Sequence, residues 1–107
     1  MSLPISVRIG YLTCPVKAIP GAEAETRGIS GHFDEDTGII EVAESLSPSL
    51  MCDALLHEML HCACLLGNAG LETEPEERVV RVLSTMLLGM MRDNPELFVH
   101  FAQTVRG

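Results

Sequence analysis

His57-Glu58-Met59-Leu60-His61 is an H-E-x-x-H run inside an otherwise apolar stretch. A helix advances about 100° per residue, so residues 57 and 61 lie one turn apart on the same side. Two imidazoles at that spacing can share one ion, and Zn²⁺ accepts imidazole nitrogen at ~2.0–2.1 Å. Glu58 points about a quarter turn away. That makes it a poor ligand and a good proton acceptor for a water on the ion. Helices that bind nothing also carry such runs by chance. The flanking chain therefore has to supply the rest of a site.

The flanks predict a helix from Pro48 to Leu66, with Ser47 as N-cap and Pro48 at its first position. On its wheel Leu55, Leu56, Met59, Leu60, Ala63 and Leu66 share one apolar arc. The two histidines border that arc, at a seam between core and solvent. Gly67-Asn68-Ala69-Gly70 ends the helix with residues that accept left-handed conformations. A second, antiparallel helix is predicted from Glu74 or Pro75 to Arg92. Val79, Val80, Val82, Leu83, Met86, Leu87, Met90 and Met91 form its core-facing arc, and Glu77 borders it. Asp93-Asn94-Pro95 breaks it, and residues 96–106 form a short third helix.

Before the H-E-x-x-H helix the periodicity changes from helical to alternating. Ile5-Ser6-Val7-Arg8-Ile9 alternates like a half-buried strand, and residues 20–31 read as a loop. Gly31 to Asp34 and Ile39 to Ala43 flank a D-x-x-T-G turn, which predicts a hairpin. The fold class that results is α+β. A small antiparallel or mixed sheet of about three strands packs on the H-E-x-x-H helix and a second antiparallel helix.

At 107 residues the chain is one domain. Aromatic residues are only 4%, so aliphatic side chains and methionine must fill the core. A net charge of −8 argues against nucleic-acid binding, which needs a basic face. No apolar run comes near a membrane span and no signal peptide is visible, so the expectation is a soluble, cytoplasmic protein without a membrane partner. Of the four cysteines, Cys52 and Cys62 read as small buried residues, and Cys64 as a buried residue within reach of an ion at the histidines.

A catalytic zinc needs three protein ligands plus water. Glu72, Glu74, Glu76 and Glu77 open the second helix and offer hard oxygen. Glu77, at the edge of the apolar arc, is the favoured third ligand, and Glu76 is the alternative. Metzincin ligation is excluded, because Cys64 and Gly67 stand where that pattern requires Gly and His.

Four stretches together resemble the minimal gluzincins, small zinc metallopeptidase-like proteins of bacteriophages and prophages. They are G-H-F-D-E-D-T-G-I-I-E-V-A-E-S-L-S-P, L-L-H-E-M-L-H, E-E-R-V-V-R-V-L and R-D-N-P-E-L, covering roughly Gly31 to Leu97. More distantly the chain is similar to peptidases that cleave phage repressors. The resemblance implies a minimal zincin fold, with Glu77 as third ligand. It also implies that the Ile39–Val42 strand is a sheet edge over the metal, where an extended peptide can add. The chain departs from the pattern at Arg81, where relatives commonly carry Asn or an acidic residue.

The function expected is zinc-dependent hydrolysis of a peptide bond. His57, His61 and Glu77 hold Zn²⁺, and Glu58 is the general base acting on a water. The partner is then a peptide or protein segment. Tyr11, His32 and His100 are candidates for stabilising the oxyanion. The alternatives are a non-catalytic zinc-binding structural or interaction module, and a phage-encoded modulator that uses no metal. The sequence leaves the oligomeric state open.

Overall fold

The computed structural model describes residues 3–107. Its elements run β1 (Ser6–Ile9), β2 (Leu12–Ile19), α1 (Gly21–Arg27), β3 (Gly31–Phe33), β4 (Ile40–Ala43), α2 (Pro48–Leu66), α3 (Thr73–Asp93) and α4 (Pro95–Arg106). The architecture is α+β, with one mixed sheet of strand order β1-β2-β4-β3. The sheet has four strands, one more than the sequence predicts.

The additional strand, β2, contains Pro15, which obscures it in the sequence. Its first half pairs antiparallel with β1 and its second half parallel with β4. Val16 N–H donates to Ile5 O, so the nitrogen of Pro15 faces away from β1, just before the β4 pairing begins at Val16. A missing N–H there breaks no ladder bond.

The segment read as a loop over residues 20–31 contains α1. Its Ala-Glu-Ala-Glu core has high helix propensity but almost no large apolar side chain to reveal a period. Gly28 closes it at φ 66°, and Ala24 packs on Ile19 and Ala43. Arg27 binds Glu23 one turn back at 3.0 Å and Glu41 of β4 at 2.9 Å, which ties the helix to the sheet.

The predicted hairpin forms between β3 and β4. Asp34 Oδ1 accepts the N–H groups of Asp36 and Thr37, and Gly38 takes the positive φ of 77° that the return requires. β4 lies inside the sheet, between β2 and β3. This corrects the expectation that Ile39–Val42 forms the edge. The free edge beside the site is β3, the short strand that leads into the hairpin.

α2 starts as predicted, with Ser47 Oγ accepting the Leu50 N–H. It is long and apolar enough, by length and composition alone, to cross a membrane, contrary to the expectation from the sequence. Here it lies against the sheet. Met51, Ala54 and Cys62 pack with Cys14, Phe33, Ile40 and Val42, flanked by Leu55, Met59 and Leu66. The buried side of α2 is therefore rotated from the predicted arc towards Glu58, and Leu56, Leu60 and Ala63 are only half-buried or exposed. The helix meets the sheet on one side and α3 on another, so no single arc describes its packing. Cys62 is buried as predicted, its Sγ 3.8 Å from that of Cys14, while Cys52 is only half-buried.

α3 departs further from expectation. Only Val80 and Ser84 are buried, and Val79, Val82, Leu83, Met86, Met90 and Met91 are exposed. α2 packs along α3 and α4 touches it to a lesser extent, which is too little to bury the whole apolar arc.

Ile40, wholly inaccessible at the centre of the main cluster, tests which residues carry stability. Ile40→Ala should cost about 2–5 kcal/mol, read as a lower urea midpoint at unchanged m-value.

Candidate metal centre

α2 and α3 are adjacent and antiparallel, and they bring the ends of three side chains together. His57 Nε2 lies 2.8 Å from Glu77 Oε1, and His61 Nε2 lies 2.8 Å from Glu77 Oε2. The two Nε2 atoms are 3.2 Å apart. One ligand atom from each of the three residues falls within 4.8 Å of the others, close enough to bind a metal ion. The histidines are half-buried at 18% side-chain exposure, and Glu77 is open at 40%. The group is therefore held from one side and reachable from the other.

Glu76 is not part of that group. Its Oε2 lies 2.7 Å from His61 Nδ1, on the opposite side of the ring from Nε2. An Nδ1–H donating to this carboxylate leaves the Nε2 lone pair free for an ion. Neighbouring glutamates on one helix thus reach opposite nitrogens of one imidazole. Glu76→Gln keeps a hydrogen-bond acceptor but removes the charge. It should weaken zinc binding by roughly 10- to 100-fold without removing a ligand, which competition against a chelating dye would measure.

Glu58 is buried at 9% exposure under β3. The β3 register explains how it is held. Ala43 N–H donates to Ser30 O and Asp34 N–H to Ile39 O, so His32 also faces β4, while Gly31 and Phe33 turn their amides to the free edge. The Phe33 N–H bonds Glu58. A Cβ on Gly31 would sit 3.2 Å from Glu58 Cγ and 3.3 Å from Oε2, so glycine permits this approach.

Burial pushes the Glu58 carboxyl up to about 7; His61 opposes this, Glu77 adds to it, and the Phe33 N–H opposes it. Burial also acts to lower His61, but Glu76, Glu58 and Glu77 together raise it above its ordinary value. Glu77 is lowered, because the two histidines outweigh its own desolvation. In the metal-free protein these shifts have a definite sign. The Glu58 contribution is fully present below about pH 4.5 and is lost as pH rises through about 7. The His61 contribution is complete below about 6.5 and is lost above it, while that of Glu77 is already complete above about 4.5. Metal-free protein should therefore lose stability between pH 5 and 8, by about 3 kcal/mol from Glu58 alone. Denaturation in chelator at several pH values checks this, and Glu58→Gln should flatten the profile.

The group lies in an open cleft of about 1180 Å³ between the β3 edge, α2 and the start of α3. Of the three oxyanion candidates, His32 alone borders this cleft. Tyr11 lines a separate hollow beside the β3–β4 turn, and His100 lies on α4 beside Phe101. Cys64 borders the cleft, but burial and then Glu76 raise its thiol, which disfavours the thiolate a metal requires. Arg81 Nη2 reaches Glu77 Oε1 at 3.6 Å.

Sequence reasoning missed two cleft features. Asp53, one turn before His57, borders the cleft with Oδ1 buried and, among the described residues, without a hydrogen-bond partner. Its spacing from His57 was the available signal. The second is the contact of Gly31 with Glu58, for which the sequence holds no signal at all. Comparison with known proteins finds no matching family model, no curated relative and no similar solved structure.

Proposed function

We propose that this chain is a zinc-dependent, metallopeptidase-like hydrolase of the kind its sequence resembles, the minimal gluzincins. Zinc fits the donor set: two neutral imidazole nitrogens and one carboxylate is His₂Glu, an arrangement of catalytic sites that leaves a position open. When bound, the ion would supply Lewis acidity, lowering the pKa of a water towards ~7 and polarising an amide carbonyl.

The observation that carries the reading is Glu58. A purely structural site needs no carboxylate between its two histidines, yet this one is buried beside them at the cost of a raised pKa. In the proposed reaction Glu58 takes a proton from the attacking water on a carboxylate oxygen. It then returns that proton to the departing amine nitrogen. The Phe33 N–H orients the carboxylate meanwhile, and Glu76 fixes the His61 tautomer.

An extended peptide suits the cleft, because the Gly31 amide faces outward along the free edge of β3 and can pair with an added strand. The test is to incubate zinc-loaded, tag-free protein with a pool of unstructured peptides and read new termini by mass spectrometry. Cleavage that stops on chelation and returns with zinc supports the proposal. Stoichiometric zinc without cleavage of any peptide overturns it in favour of a zinc staple.

A further inference from the structure

We infer that the exposed apolar face of α3 and α4 is the interface of a two-fold dimer of this chain. On α3, Val79, Val82, Leu83, Met86 and Met90 are each 42–57% exposed. They share a stripe about 100° wide, beside the face that Val80 and Ser84 turn to α2. On α4, Leu97, Phe101 and Val105 recur every four residues at 45%, 50% and 84% exposure. No residue of α4 is buried. A 12-residue helix is marginal without tertiary packing, so the fold as it stands leaves α4 weakly supported. The radius of gyration, 14.1 Å, exceeds the ~13 Å usual for this length, in keeping with an incompletely packed pair of helices.

Area and charge select the occupant. Taken together, the eight residues leave roughly 800 Å² exposed, about one partner's share of a standard interface. A membrane surface fits poorly, since α4 carries a single cation, Arg106, and the chain has a net charge of −8. A second copy fits better. With the two-fold axis across α3, the two copies of the helix run antiparallel with their dipoles opposed, and Arg92, already paired with Asp93 of its own chain at 2.8 Å, adds no charge across the seam. Glu77 projects from the far side of α3, about 160° round from Val79, so pairing leaves the metal-binding cleft open.

Sedimentation equilibrium on the full, tag-free chain tests this. At tens of micromolar the expected species has twice the chain mass. Met86→Glu and Phe101→Glu should each raise the dimer dissociation constant roughly 100-fold or more, while metal content stays unchanged. Should either variant misfold, hydrogen exchange on the unaltered protein decides. Amide protection along α3 and α4 must then fall on dilution. A single-chain mass overturns the inference, as do protection independent of concentration and a dimer indifferent to both substitutions. Open-ended assembly, or binding to anionic vesicles in place of pairing, overturns it too.

Discussion

Alanine at His61 is expected to leave a folded protein that retains no metal. His61 is the busiest side chain of the cleft: its Nε2 approaches both His57 Nε2 and Glu77, and its Nδ1 approaches Glu76. Truncation removes one of three ligand atoms. It also leaves Glu58, Glu76 and Glu77 near one another without the imidazole that lies between them. The loss of affinity should exceed the roughly 10- to 100-fold that follows loss of an outer partner. Elemental analysis of the purified protein reads the result directly, with about one zinc per chain expected for the unaltered protein. Thermal unfolding reads it a second way. Zinc at 1,000 times its dissociation constant stabilises the unaltered protein by about 4 kcal/mol, and the same zinc should do nothing for the variant. Undiminished zinc in His61→Ala would mean that the ion sits elsewhere, and the whole site would have to be redrawn.

The second large effect separates binding from chemistry. Glu58→Gln should keep zinc at the unaltered stoichiometry while lowering peptide hydrolysis by about 10²- to 10⁴-fold, the usual contribution of a general base. Glutamine preserves the shape and can still accept from the Phe33 N–H, but it cannot take up a proton at neutral pH. The Michaelis constant should change little, since Glu58 lies under β3 and binds no substrate in this scheme. Loss of zinc in this variant would make Glu58 a ligand, and an unchanged rate would remove it from the chemistry. Either result would dismantle the proposed mechanism.

Much of what positions the cleft was legible because it depends on neighbours in sequence. The ends of α2, the Ser47 cap, the Asp34–Gly38 turn and the one-turn spacing of His57 and His61 all follow from local geometry. β2 and α1 were hidden for equally local reasons: a proline whose harmlessness depends on which neighbour it faces, and a helix too short of large apolar residues to show a period. The apolar arc of α3 was correctly seen as apolar and wrongly assigned to the core. Periodicity reveals that a stripe must be covered, never by what.

The sequence by itself determined the chemistry on offer: two imidazoles on one helix face, a carboxylate between them, and a run of glutamates at the start of the next helix. Only the tertiary structure decided how those glutamates divide. The crossing of α3 over α2 brings Glu77 to the Nε2 atoms and Glu76 to Nδ1 of His61, a difference set by where each side chain points. It also decided that β3 is the free edge, so that Gly31 admits the Glu58 carboxylate and the Phe33 amide holds it. Helix spacing is fixed by bond geometry that every residue carries with it. Contacts between helix, helix and strand depend on packing angles and on a register that no single segment contains.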